Sequence, residues 1–482
     1  MSLLSAKPRT NKTTHKIINA LIFPLLPSLA LTISLPLSAE NLLQVYQHAK
    51  QNDAQLKISE AGYLASLEKK PQVLSALKPR VDLGANASYN TQYINRSLRG
   101  DGGAGFLNFG YDLTLTKPLI NKELQAQIGQ VDASILQAKA NLEADRQSLI
   151  VRVAEAYFQF LDANESLSFS KAETVAIGRQ LNQVKAYFDA GRSAITDVKE
   201  AQARYDLAKA QEQVALQQID LARESLRAIT TRYYKTLNGA ADNIPLLVPK
   251  PNNVELWSKS AVANSKQVQA AQYAVRVAQK AVDIAHAVKK PKVNLFARHT
   301  GNSTFGERTF DQDKIDASVG VQLNMPLYQG GNIASGIREA RHKLHQAQQA
   351  LELQKRLATQ QTRANYLNIL TGLTRVRALK QALNSTQTAA NATQAGFEAG
   401  TRTAVDVLLS LRETFAAKRD YTSARYDFLL NTLKLKLAAG TLTEADVARL
   451  SKLLTKKTRP ATHKKGVPRK KRATHNNVHN KR

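Results

Sequence analysis

Apolar positions along this chain follow two rhythms in turn. From Val81 to Asn90 the period is two: Val81, Leu83, Ala85, Ala87 and Tyr89 alternate with Asp82, Gly84, Asn86, Ser88 and Asn90. The alternation resumes with Phe109, Tyr111, Leu113 and Leu115 against Gly110, Asp112, Thr114 and Thr116. A second pair of segments offers Val293, Leu295 and Ala297, then Ala317, Val319, Val321, Leu323 and Met325 against Ser318, Gly320, Gln322 and Asn324. A period of two with one apolar face predicts half-buried antiparallel hairpins, over 80–118 and 292–327. Each strand is about long enough to cross an outer membrane. Pro118 and Pro326 are expected to stop the strands.

Elsewhere the rhythm is helical and the apolar residues are small. Val131, Ile135, Ala138 and Leu142 form one stripe; Val198, Ala201, Tyr205 and Ala208 form another. Long reach with small knobs predicts coiled-coil pairing. No proline falls between Pro118 and Pro245, or between Pro326 and Pro460. The 72 residues from Leu119 to Ala190 would span about 100 Å as helix. Gly191 then stands where a helix C-terminus needs a left-handed residue, and a second helix is predicted from Thr196 to Thr236. The pattern returns as a helix from Asn332 to Ala399, a break at Gly400, and a helix to Ala438. Shorter helices are predicted over Glu40–Gln72 and Val254–Val288.

The chain is therefore written twice. Phe188-Asp189-Ala190-Gly191 and Asp197-Val198 return as Phe397-Glu398-Ala399-Gly400 and Asp406-Val407, all at an offset of 209. Lys78-Pro79 returns as Lys290-Pro291. Two units are expected, 40–245 and 246–454, each a helix, a β-hairpin and a long helical hairpin (119–240 and 331–438). Four strands cannot close a barrel, and lipid does not accept an open sheet edge. Either the hairpins are soluble, or several chains pool strands. Two chains would give eight strands and three would give twelve; only the larger leaves clear room for a channel.

Charge and composition refine this picture. Residues 1–39 read as a secretory signal: Lys7, Arg9, Lys12 and Lys16 precede an apolar run from Ile17 to Leu35, and Leu37-Ser38-Ala39 suits cleavage before Glu40. The net charge of +30 divides into four from the signal, eleven from the acid-free tail 455–482, and +15 on the body. The tail, carrying Pro460, Gly466 and Pro468, is expected to be disordered. Its Pro-Arg-Lys-Lys-Arg run would suit a nucleic-acid binder, but in an exported chain it reads as a solvated tail touching anionic surfaces. No nucleic-acid partner is expected. The absence of cysteine excludes disulfides and thiolate chemistry.

Gly100-Asp101-Gly102-Gly103-Ala104-Gly105 matches a dinucleotide-binding spacing, yet it joins two strands and opens no helix, so it reads as a surface loop. His342 and His345 share a helical turn, but Arg341 and Lys343 flank them and repel a cation. No nucleophile elbow, phosphate loop or zincin motif occurs. No enzyme, cofactor or metal is expected.

Several segments together resemble the TolC family of outer-membrane channel proteins. They are Ala399-Gly400-Thr401-Arg402-Thr403-Ala404-Val405-Asp406-Val407-Leu408, Ala194-Ile195-Thr196-Asp197-Val198, Pro326-Leu327-Tyr328-Gln329-Gly330-Gly331, Ala156-Tyr157-Phe158, Ala424-Arg425-Tyr426-Asp427 and Leu437-Ala438-Ala439-Gly440-Thr441-Leu442. The resemblance spans about Glu40 to Leu454. It implies a mostly α chain with β structure: a homotrimer whose twelve-stranded transmembrane β-barrel continues as a coiled-coil α-helical barrel. That assembly stands in the outer membrane of a Gram-negative bacterium and extends through the periplasm. It implies passive export of drugs or secreted proteins, with a periplasmic adaptor (membrane fusion) protein and an inner-membrane RND or ABC transporter as partners.

The resemblance also assigns residues. Asp406 matches an acidic entrance ring, whose second acid would fall at Leu409 and is absent. The gate contacts map to Thr196 and Asp197 on one hairpin and to Arg402 and Phe397 on the other; Phe397 replaces a tyrosine and lacks its hydroxyl donor. Adaptor docking maps to Gly191, Gly400 and Thr401. Asp82, Asn86, Asp112, Thr114, Gln322 and Asn324 are expected in the barrel lumen, with the apolar alternates facing outer-membrane lipid. The alternative from another class is a periplasmic coiled-coil interaction protein with no pore.

Overall fold

The computed structural model describes residues 40–94, 102–240, 245–306 and 309–454. The expected signal (1–39), the first two residues of the glycine-rich segment (100–101) and the basic tail (455–482) lie outside them.

The duplication is visible element by element. Helices α1 (Leu42–Asn52) and α2 (Ala54–Ser75) precede strands β1 (Arg80–Ile94) and β2 (Gly102–Ile120), then α3 (Lys122–Asp189) and α4 (Ile195–Thr230). The second copy runs α5 (Val254–Asn264), α6 (Lys266–Ala287), β3 (Lys292–Gly306), β4 (Thr309–Asn324), α7 (Asn332–Glu398) and α8 (Ala404–Ala438). A last helix, α9 (Glu444–Leu453), follows. The long helices have 68 and 67 residues, about 100 Å each, and their partners 36 and 35.

The four strands form one antiparallel sheet in the order β1-β2-β3-β4, so β1 and β4 are open edges. Opposite residues share a face. Leu83 pairs with Leu113, which pairs with His299 and through it Ala317; Asp82 pairs with Thr114, which pairs with Arg298 and through it Ser318. Aromatic rings lie across glycines on neighbouring strands: Tyr89 over Gly105, Tyr111 over Gly301 and Phe296 over Gly320. Such Gly–aromatic pairs let a sheet curve without leaving a hole.

Some expectations change in detail. The helix expected over 40–72 is two helices. Asp53 breaks it, accepting from the Leu56 amide at 2.7 Å and pairing with the Arg152 guanidinium at 2.9 and 3.0 Å. The helix expected over 254–288 breaks likewise at Ser265, against which Gly440 packs too closely for any Cβ. Pro118 does not stop β2, which continues to Ile120. The register shifts between Pro118 and Ile120, so the missing N–H falls where the ladder is already broken. Gly102 and Gly105 belong to β2 and not to a loop. Helix α4 ends at Thr230, short of 236, because the chain turns there and buries Tyr234 and Leu237 in the core.

That core lies at mid-length of the long helices. Tyr157, Phe160, Phe428, Leu42 and Leu226 are fully enclosed, and Phe158 stacks on Tyr426 with ring centroids 5.6 Å apart. A smaller cluster nearer the hairpin turns joins Ile177, Leu181, Ala201 and Ala208 to Leu408 of the other hairpin.

Candidate functional site

Both helical hairpins turn in the same way. The Gly191 and Arg192 amides donate to the Phe188 and Tyr187 carbonyls at 2.9 and 2.7 Å; the Gly400 and Thr401 amides donate to Phe397 and Gly396 at 3.0 and 2.8 Å. These are paired left-handed helix ends, with φ of +70° at Gly191 and +77° at Gly400. The left-handed φ, and not crowding, favours glycine at both turns: nothing in the chain lies within 4 Å of where a Cβ would stand on either, so the flanking space is open. The Thr401 hydroxyl donates to the Gly396 carbonyl at 3.1 Å.

The acids just past each turn are both caps. Asp406 accepts from the Thr403 amide at 3.0 Å, while the Asp406 amide donates to the Thr403 hydroxyl at 3.2 Å. Asp197 accepts from the Ser193 hydroxyl at 2.8 Å and the Ala194 amide at 3.3 Å. The Thr403 amide and hydroxyl, with the nearby Arg402 charge, hold the Asp406 carboxyl below the usual carboxylate range. Thr196 is exposed, and so is Leu409.

Arg402 folds back over Gly396, where an added Cβ would meet its Cγ at 2.8 Å. Among the described residues of one chain, no hydrogen bond or ion pair joins Arg402 to Thr196 or Asp197. What joins the hairpins at this level is aromatic. Tyr187 of α3 stacks on Phe397 of α7, with centroids 5.5 Å apart and planes 30° from parallel. The Arg192 guanidinium lies over the Tyr187 ring at 4.8 Å. Further along, α3 and α8 are linked by Glu173 and Arg419 at 2.8 Å, Glu165 and Tyr426 at 3.1 Å, and Glu155 and Lys434 at 3.2 Å.

At the other end of the molecule, Asp82, Asn86, Asp112, Thr114, Gln322 and Asn324 all fall on one face of the sheet. Asp82 pairs with Arg80, and Asp112 accepts from the Thr114 hydroxyl. The opposite face is apolar and bare: Leu83 is 73 % exposed and Val319 78 %. It carries a polar exception in His299, stacked on Tyr111 and within 3.3 Å of its hydroxyl. Among the described residues no helix is long and apolar enough to cross a membrane, and no cluster of metal-ligating side chains occurs.

A profile of the Outer membrane efflux protein family matches residues 45–232 and again 257–441, once for each copy of the repeat. The chain belongs to this family. It is 35 % identical to outer membrane protein TolC of Vibrio cholerae over 430 residues, covering 88 % of this chain and 97 % of that protein. It is 28 % identical to the alkaline protease secretion protein AprF of Pseudomonas aeruginosa, covering 85 % of this chain and 86 % of that protein. Its fold matches a solved membrane protein from Pseudomonas aeruginosa at a TM-score of 0.71 and 17 % identity, over 84 % of this chain and 92 % of that one.

As a member of the outer membrane efflux protein family, the chain is an outer-membrane exit duct and not an enzyme. Channels of this family assemble as trimers and work with pump partners. Sequence reasoning placed Arg192 only in the groove Ala190-Gly191-Arg192-Ser193, where it departs from the apolar pattern of the family, and missed Tyr187 and Gly396, although the repeat marks both. Tyr187 and Gly396 are equivalent positions at the 209 offset, one filled by a ring and the other emptied for Arg402.

It also missed Asp162, a half-buried acid between the hairpins. Burial, then Asp427 and Glu165, push its carboxyl up to about 6. The folded state therefore favours the protonated form. Its ionisation costs nothing below the ordinary aspartate range, and the full cost applies above about pH 6. Asp162→Asn should raise the melting temperature at neutral pH, and the gain should vanish as the buffer is acidified below that range. Thermal unfolding across pH checks this.

Proposed function

We propose that three copies of this chain close their sheets into one transmembrane barrel, and that their helices continue it as a tube through the periplasm. The observation that carries the reading is the sheet: two open edges, a bare apolar face, and strands running straight into helices of about 100 Å. Lipid does not tolerate an unpaired edge, so β4 of one copy must pair with β1 of the next. Three sheets of four strands make twelve, which leaves an open lumen. The polar face, with Asp82, Asn86, Asp112, Thr114, Gln322 and Asn324, lines that lumen. A pore-free periplasmic interaction protein leaves both open edges without a partner.

The duct serves a tripartite efflux pump, type I secretion, or both, and conducts passively. The efflux family membership supports the first, and the likeness to a protease secretion protein the second. An inner-membrane RND or ABC transporter supplies the energy. A periplasmic adaptor docks its tips in the open space beside Gly191, Gly400 and Thr401. The helical hairpins open like an iris, with Thr196, Asp197, Phe397 and Arg402 at the moving contacts. Asp406 forms the entrance ring.

The purified chain should migrate as a heat-sensitive trimer and carry single-channel current in planar bilayers. A trivalent cation added at the helical end should block it, and Leu409→Asp should tighten the block by doubling the ring charge. Because the Asp406 carboxyl is held low, the block should persist in mild acid and fail only as pH drops through its depressed value. A monomer without current would overturn the duct. Equal block in the native chain and the Leu409→Asp variant would remove the ring.

A further inference from the structure

We propose that the helix-side end of the sheet is a docking collar for anionic phospholipid headgroups. The proposal rests on the exit-duct reading, which sets this end at the periplasmic leaflet of the outer membrane.

Five lysines from four segments converge there. Lys78 precedes β1, Lys117 lies in β2, Lys122 opens α3, and Lys289 and Lys290 precede β3. The register sets them level, since Arg80 pairs with Thr116, Lys117 with Leu295 and Ile120 with Val293. All five are exposed, and among the described residues none is in an ion pair. Acids near this end are already taken, Asp82 by Arg80 at 2.8 Å, Glu123 by Lys292 at 2.7 Å and Asp283 by Lys280 at 3.0 Å. Lys122 sits at a helix N-terminus, where a cation opposes the dipole, so its charge does not serve the helix. Among the described residues at the far end of the sheet the charges are mixed, with Lys314 standing between Asp313 and Asp316 on β4 and pairing with Asp316 at 3.2 Å.

Apolar side chains are interleaved with this charge. Leu119 and Ile120 are half exposed, and Leu327 and Tyr328 are 88 % and 87 % exposed. Ile120 pairs with Val293 of the apolar face, and Leu327 and Tyr328 follow the end of β4. A free anion would use the lysines and leave these side chains in water. A bilayer surface takes both, seating apolar groups and Tyr328 in the headgroup region while the lysines reach phosphate.

The full chain, purified as its assembled channel, is placed in nanodiscs of phosphatidylcholine with part replaced by phosphatidylglycerol. Native mass spectrometry then reads which lipids stay bound. The native channel should retain phosphatidylglycerol preferentially, and K117Q/K289Q/K290Q should lose at least about tenfold of that preference. Lys171→Gln, on α3, should keep it. The preference should also fall as salt is raised. Equal retention of the two lipids by the native channel, or full preference in the triple variant, overturns the collar. If the triple variant does not assemble, the native channel decides: a preference indifferent to salt overturns it. Single-channel current, measured in parallel, separates failure of the collar from failure of the duct.

Discussion

Phe397→Ala, and separately Tyr187→Ala, should leave the helical end of the tube standing open. Closed-state conductance should rise at least about tenfold, and cells should leak in antibiotics that the native channel excludes. The stack between the two rings joins the hairpins of one chain close to their turns. An aromatic pair contributes about 0.5–1.5 kcal/mol. Arg192, whose guanidinium lies over the Tyr187 ring, adds about 0.5–1 kcal/mol at an exposed position. In a threefold iris these terms act in three copies that move together. The closed state then loses about 1.5–4.5 kcal/mol in Phe397→Ala and about 3–7.5 kcal/mol in Tyr187→Ala, roughly one to three and two to five powers of ten in the closed-to-open ratio.

Tyr187→Phe keeps the ring and should stay shut, which separates stacking from any role of the hydroxyl. The hairpins should stay folded in all these variants, since the Leu408 cluster and the Glu173–Arg419 pair lie further from the turns. A double-mutant cycle between positions 187 and 397 should give a coupling of the size of the stack. Unchanged closed conductance in both alanine variants would sink the latch. Leakage from Arg402→Ala with none from Tyr187→Ala would assign the closed state to contacts between neighbouring copies instead.

How much of this could be read beforehand depends on the range of the interaction. The strand faces were legible because a period of two is a local pattern, and all six proposed lumen residues share a face. The turns were legible because Gly191 and Gly400 are needed for their own backbone. Asp53 was not legible as a break, because what fixes it is Arg152, 99 residues away. Pro118 misled, since a breaker is harmless where the ladder is already shifted. Tyr187 was hidden for a deeper reason. The repeat aligns it with Gly396, yet its partner is Phe397, so the stack joins positions that the duplication does not relate. Of the five collar lysines, Lys78 and Lys290 stood out in the sequence as one repeated pair, and the strand register then set the strand starts they precede level with Lys117.

Val319→Arg should abolish assembly in the outer membrane, while Ser318→Arg, one residue away, should not. Val319 is the middle of five alternates on edge strand β4, from Ile315 to Leu323, and 78 % exposed in the single chain. Adjacent strand residues point to opposite faces, so position 318 meets the lumen if 319 meets lipid. An arginine at the lipid midplane costs about 2–4 kcal/mol. In three copies this reaches about 6–12 kcal/mol, comparable with the whole stability of a folded domain. The side chain introduced by Ser318→Arg would instead stand in water across from Arg298 and cost little, though it should lower cation conductance through added positive charge. Heat-modifiable trimer in outer-membrane fractions measures the first effect and bilayer current the second. The soluble-sheet alternative expects no such difference between the two substitutions, because arginine on an exposed position of a water-facing sheet changes stability by no more than about 0.5 kcal/mol. Normal trimer from the Val319→Arg variant would therefore take the apolar face out of the membrane, and with it the requirement that β1 and β4 find each other in neighbouring copies.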